Sequence, residues 1–233
     1  GMKKSLWIAI AGALAVSVAV ALAQEVLSAN TIGYIKKELP AGGKLITVSI
    51  PLFNMTAAQN VFSNLSLAAE APTLSDVFFW DPVSQQWVGG SKKAKGGWDA
   101  SVVTQVVASG DFFFIKGPAT STVPTEITIA GEVPDVATMA RAIPGTGRLG
   151  SMANPYPADF VFGTSSLASN ATVLSDVFFW DPSAQQWVGG SKKAKGGWDA
   201  SVVTQKVLAT SGFFLKEAGT VTAWTNTKPY TWP

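Results

Sequence analysis

The chain repeats itself. Leu74 to Gln105, LSDVFFWDPVSQQWVGGSKKAKGGWDASVVTQ, returns one hundred residues later as Leu174 to Gln205, with only Val83/Ser183 and Ser84/Ala184 changed. A fixed period constrains architecture before any local reading. A period of 100 residues is too long for a solenoid unit and suits a small domain. The identity extends to positions that packing does not dictate, such as the lysines of Ser91-Lys92-Lys93-Ala94-Lys95. A fold constraint alone would keep the apolar pattern and let those drift. The near-identity reads as a young duplication, with two copies of one working surface as the alternative.

Around the repeat, Gly43 to Pro51 corresponds to Gly147 to Pro155 at a displacement of 104, so the first copy carries four extra residues between Pro51 and Val61. Lys44 to Pro51 alternates as a strand closed by proline. Met55 to Leu67 carries Ala57, Val61, Phe62 and Leu65 at helical spacing and predicts one or two helical turns. Asp76 to Trp80 is a continuous apolar run, hence a buried strand. Asp81-Pro82 turns it, and Gln85 to Val88 returns as its hairpin partner. Gly89 to Gly97 reads as a polar loop, Val102 to Val107 as a strand, and Phe112 to Lys116 as a strand apolar on both faces. Ile127 to Val133 alternates as a further strand, and Val136 to Ala142 suggests a helical turn in a crossover. The expected fold is all-β: two homologous antiparallel β modules in tandem, sandwich- or barrel-like, each with a short helix. The expected organisation is a cloning remnant and signal peptide over 1–23, a lead-in over 24–42, one module over 43–133, a connector over 134–146 and a second module over 147–233.

Met2 to Ala23 has a short basic start, an apolar stretch and Ala21-Leu22-Ala23 before Gln24. That is the pattern of a secretory signal cleaved after Ala23; a retained anchor is the competing reading, because the apolar run from Leu6 to Ala23 is at the spanning limit. Export to the periplasm, the cell surface or the medium is expected, with no membrane attachment once the signal is cleaved.

Chemistry is constrained by what is missing. The sequence has no cysteine and no histidine, which removes disulfides, thiolate metal sites and the usual general base. Lys3 and Lys4 lie in the leader, so the 17 basic and 15 acidic residues leave the rest of the chain with no net charge, and no nucleic-acid partner is implied. Asp76, Asp81 and Asp99 do not form the clustered oxygen loop that calcium needs. Nothing stands at nucleophile or oxyanion spacing from a carboxylate pair. No enzyme, cofactor or metal is expected.

The modules resemble a loose class of exported bacterial tandem-repeat all-β proteins through short motifs. These are Gly43 to Pro51, Asp76 to Trp80, Gly97-Trp98 and Gly110 to Phe114, with counterparts Gly147 to Pro155, Asp176 to Trp180, Gly197-Trp198 and Gly212 to Phe214. The resemblance implies export and an all-β module, and assigns no ligand. The lysine-bearing loop departs from the class.

Two readings of function follow. In the first, the chain is a non-catalytic binding protein for carbohydrate or an envelope glycan, with two equivalent aromatic sites. Indole faces suit the C–H face of a pyranose. The site residues would be Trp87, Trp98, Gln85 and Gln86 with Lys92 and Lys93, and their copies Trp187, Trp198, Gln185, Gln186, Lys192 and Lys193. Core-filling tryptophans with the indole N–H on a carbonyl, and a solvated lysine loop, are the competing assignments. In the second, the chain is a structural envelope or matrix component whose repeated surface makes subunit contacts. The oligomeric state is left open.

Overall fold

Strands that are apolar on both faces require a sheet that is covered twice. The computed structural model, which describes residues 31–52 and 60–231, shows how that is achieved. The first half runs through β1 (Ile32–Leu39), β2 (Ile46–Ser49), α1 (Ser66–Glu70), β3 (Asp76–Asp81), β4 (Gln86–Ser91), α2 (Ala100–Val103), β5 (Phe112–Lys116) and β6 (Thr125–Glu132). The second half runs through β7 (Thr138–Ala142), β8 (Leu149–Ala153), β9 (Phe160–Val161), α3 (Ser166–Asn170), β10 (Asp176–Asp181), β11 (Gln186–Ser191), α4 (Ala200–Val203), β12 (Lys206–Val207), β13 (Gly212–Lys216) and β14 (Ala223–Thr227). Each half holds a four-stranded antiparallel sheet, ordered β2-β5-β3-β4 and β8-β13-β10-β11. Each also holds a separate two-stranded ribbon, β1-β6 and β7-β14. The protein is therefore all-β, with two similar antiparallel modules in tandem.

Alternation along the strands assigns the faces. Val77, Phe79, Phe113, Ile115, Ile46 and Val48 point into a core closed by α1, α2 and the β1-β6 ribbon, where Phe62, Leu67, Trp98, Val102, Ile127 and Ile129 are buried. The second module repeats this with Val177, Phe179, Phe213 and Leu215 against Phe162, Leu167, Trp198, Val202 and Trp224. The opposite faces of the two sheets meet each other. Phe112, Phe114, Ala153 and Phe214 are buried there, packed by Phe78, Trp80, Phe178, Trp180, Leu45 and Leu149. Each buried phenylalanine contributes up to about 1.5–3 kcal/mol, so this third core joins the modules firmly.

Several elements differ from their sequence expectations. Gly89 and Gly90, expected in a loop, lie within β4. Only glycine fits there: a Cβ would stand 2.8 Å from the Phe78 ring at Gly89 and 2.8 Å from Val102 at Gly90. Val102 to Val107, expected as a strand, begins as helix α2, and only Val106 bridges a neighbour, Val61. Asp99, at the N-cap, was the missed helix signal. Val136 to Ala142, expected to be helical, contains strand β7, and β1 occupies the expected lead-in. Of the helix expected over Met55 to Leu67, residues 55–59 lie outside the described residues; the remainder includes a 3-10 turn, Phe62–Asn64, and the start of α1. The leader, residues 1–23, also lies outside them. Among the described residues no helix is long and apolar enough to cross a membrane.

Candidate functional site

The site is built from the tips of the repeated hairpins. Between β3 and β4 the Asp81 carboxylate accepts from Ser84 Oγ at 2.7 Å and Val83 N at 2.8 Å, which holds its pKa below the usual carboxylate value. In the second copy Asp181 makes the same turn with Ser183 N and Ala184 N at 2.8 and 3.0 Å, so loss of the hydroxyl at position 184 is accommodated. The turn closes through Gln85 N donating to Asp81 O at 2.8 Å. Gln85 and Gln185 then adopt φ of 58° and 54°, a left-handed conformation in which glycine would be the unstrained residue.

What glutamine gains is reach. Gln85 Oε1 accepts from Leu149 N at 2.9 Å and its Nε2 donates to Leu149 O at 3.0 Å. Gln185 does the same to Leu45, at 2.8 and 3.0 Å. The neighbouring indoles follow suit: Trp80 Nε1 donates to Leu149 O and Trp180 Nε1 to Leu45 O, both at 2.9 Å. Two backbone bonds complete the pattern, Ser49 N to Thr210 O at 3.0 Å and Ala153 N to Gly110 O at 2.7 Å. Each module's hairpin thus grips the other's edge strand, the reciprocal arrangement of an isologous interface contained in one chain.

Trp87 and Trp187 stand over the middle of this interface. Trp87 lies 5.5 Å from Phe114 and 5.7 Å from Phe214 between ring centroids; Trp187 lies 5.7 and 5.4 Å from the same two rings. Trp87 is also held edge to face against Trp80 at 5.1 Å, and Trp187 against Trp180 at 5.2 Å. Their exposures are nevertheless 42% and 40%. The two indoles line both of a pair of open cavities, about 460 and 620 Å³, the first walled by Leu45, Phe78 and Phe114 and the second by Leu149, Phe178 and Phe214. The structure therefore brings Trp87 and Trp187 into one divided cleft between the sheets. They do not form two separate sites.

The other expected site residues lie elsewhere. Gln85 and Gln185 have their carboxamides committed to backbone across the interface. Gln86 and Gln186 are exposed but directly precede the cleft tryptophans in their strands, which puts them on the opposite face. Trp98 and Trp198 are core residues, their Nε1 donating to Ala68 O and Ala168 O at 2.9 Å. Lys92 and Lys192 are not solvated. Lys92 Nζ donates to Ala68, Ala69 and Ala71 carbonyls at 3.0, 2.7 and 2.7 Å, closing the open end of α1, and Lys192 repeats this on α3. Lys93 and Lys193 are exposed beside Asp99 and Asp199, 3.7 and 3.5 Å away. Asp76 accepts from Ser91 Oγ and pairs with Lys116 at 3.1 Å.

Sequence reasoning missed Phe114, Phe214, Phe78 and Phe178 as cleft walls. Their signal was present in the two-faced apolar strands. Among the described residues no three acidic side chains gather where a metal could sit. Comparison of the chain with known protein families, with curated proteins and with solved structures finds no match.

Proposed function

We propose that the protein is a non-catalytic binding protein whose ligand lies in the cleft between its two sheets, with polysaccharide as the ligand class. One observation carries this reading. The indoles of Trp80, Trp98, Trp180 and Trp198 all donate to carbonyls, whereas Trp87 and Trp187 keep two-fifths of their surface open at the mouth of an aromatic cleft. Recognition sites combine a mostly apolar lining with a few polar groups, and here Lys216 supplies a charged group beside the rings. Two indoles in one cleft can hold neighbouring sugars of a single polymer, and the second contact gains by effective concentration. Export belongs to the same proposal and rests on the leader sequence.

The structural reading has its own support. The repeated hairpins join the two modules to each other, which gives Gln85, Gln185, Trp80 and Trp180 a reason for identity without any ligand. It leaves the exposure of Trp87 and Trp187 without a role.

Affinity electrophoresis through gels containing soluble polysaccharides separates the two. We expect retardation of the wild type by one polymer class and its loss in the double variant Trp87→Ala/Trp187→Ala, with circular dichroism unchanged. Retardation that survives in the double variant would remove the cleft from consideration. Free migration in every gel would favour the structural reading.

A further inference from the structure

The two modules are related by an approximate twofold, and the two ends of their interface should therefore look alike. They do not. At a displacement of 104, Lys37 of β1 corresponds to Arg141 of β7; at 100, Asp111 and Phe112 correspond to Ser211 and Gly212. The matching backbone bonds Asp111 N to Ala108 O and Ser211 N to Leu208 O, at 3.1 and 2.9 Å, confirm that register. At one end Arg141 pairs with the Asp111 carboxylate, which also accepts from Ser151 Oγ, and Arg148 donates to Val83 O. At the other end the cation remains and the carboxylate is gone. Lys37 Nζ donates to Thr210 O at 2.7 Å, Thr210 Oγ1 at 3.2 Å and Ser211 Oγ at 3.1 Å. Beside it, Gly212 has no side chain to offer, because a Cβ there would meet Phe112 Cβ at 2.4 Å.

The result is a cavity of about 430 Å³ whose lining includes Lys37, Ser211, Gly212, Phe179, Trp180 and Val207. The remaining charged groups around it are Glu38, Lys44 and Lys206, the last paired with Asp159 at 2.8 Å. Cations outnumber anions, and the lining mixes aromatic and aliphatic side chains with the polar groups of Thr47, Ser183, Gln205 and Ser211.

We propose that this cavity is a binding site for a small amphipathic carboxylate, which pairs with Lys37 as Asp111 pairs with Arg141 and lays its apolar part against Phe179 and Trp180. Ser211 Oγ accepts from the ammonium, so its own O–H can donate to the ligand's carboxylate. Burial lowers the Lys37 pKa to about 7, and an entering anion favours the charged ammonium. The site is separate from the tryptophan cleft and does not depend on its reading.

The probes are phenylacetate and its neutral isostere phenylacetamide, titrated into the full chain and followed by amide NMR shifts. At pH 6 we expect phenylacetate to bind at least tenfold more tightly than the amide, with affinity weakening by up to about tenfold per pH unit above neutrality as Lys37 loses its proton. Ser211→Asp supplies the carboxylate within the chain and should abolish phenylacetate binding while leaving the spectrum folded. Lys37→Met should do the same, and Ser211→Asp keeps the test informative if that variant fails to fold. Equal binding of acid and amide, undiminished binding in Ser211→Asp, or no binding of phenylacetate at millimolar concentration would each overturn the proposal.

Discussion

Gln85 and Gln185 occupy backbone positions where a left-handed side chain costs about 1–2 kcal/mol, and each recovers that through two bonds worth about 0.5–1.5 kcal/mol apiece. The balance makes a sharp prediction. In Gln85→Asn/Gln185→Asn the backbone is tolerated, but the shorter side chain cannot span the interface, so the double variant should lose about 2–4 kcal/mol in urea unfolding. Gln85→Gly/Gln185→Gly relieves the strain and should lose less. An unchanged midpoint in the Asn variant would mean that these bonds do not hold the modules together. Both glutamines could be singled out from sequence, because they sit in the polar arm of an obvious hairpin. Their partners could not. Leu149 and Leu45 lie 64 and 140 residues away, and no local pattern reports a reach of that kind. Lys92 misled for a related reason. Ser91 to Lys95 reads as a solvated loop, and only the three-dimensional path shows that one of its lysines is turned inward.

At the level of elements, α1 and α3 are five residues long, too short to be stable by themselves. Each is closed by a lysine that satisfies carbonyls the helix leaves open. Lys92→Met keeps the apolar stem and removes three charge-assisted bonds, so it should cost about 2–3 kcal/mol by chemical denaturation. Lys93→Met, on the exposed neighbour, should fall within about 0.5 kcal/mol of wild type. Equal effects for the two would contradict the inward assignment. The strands that carry both cores were legible, since Asp76 to Trp80 and Phe112 to Lys116 are apolar on both faces. The glycines in β4 were not, because the same Gly-Gly that marks a turn also admits Phe78 and Val102 against the strand. β7 went unread for want of alternation strong enough to outweigh its small residues.

For the whole molecule, the repeat begins earlier than its most obvious portion. Leu39-Pro40 and Ile143-Pro144 match at the same displacement of 104 as Gly43 and Gly147, and following that match back would have identified β1 as the counterpart of β7. Both strands close their modules by pairing with the last strand, β6 or β14. What no single copy could disclose is that the two sheets face one another. That packing turns the repeated tryptophans into one cleft and leaves a cavity where the copies differ at positions 111/211 and 112/212. The most direct test of the cleft uses indole N–H resonances, assigned by single substitutions. They are recorded on indole-15N-labelled protein before and after adding α-glucan, β-glucan, mannan and peptidoglycan fragments in turn. We expect the Trp87 and Trp187 signals to move together with one of these polymers while those of Trp98 and Trp198 stay fixed. Trp87 and Trp187 signals that stay motionless across the whole set, or movement confined to Trp98 and Trp198, would contradict a ligand-binding cleft between the sheets.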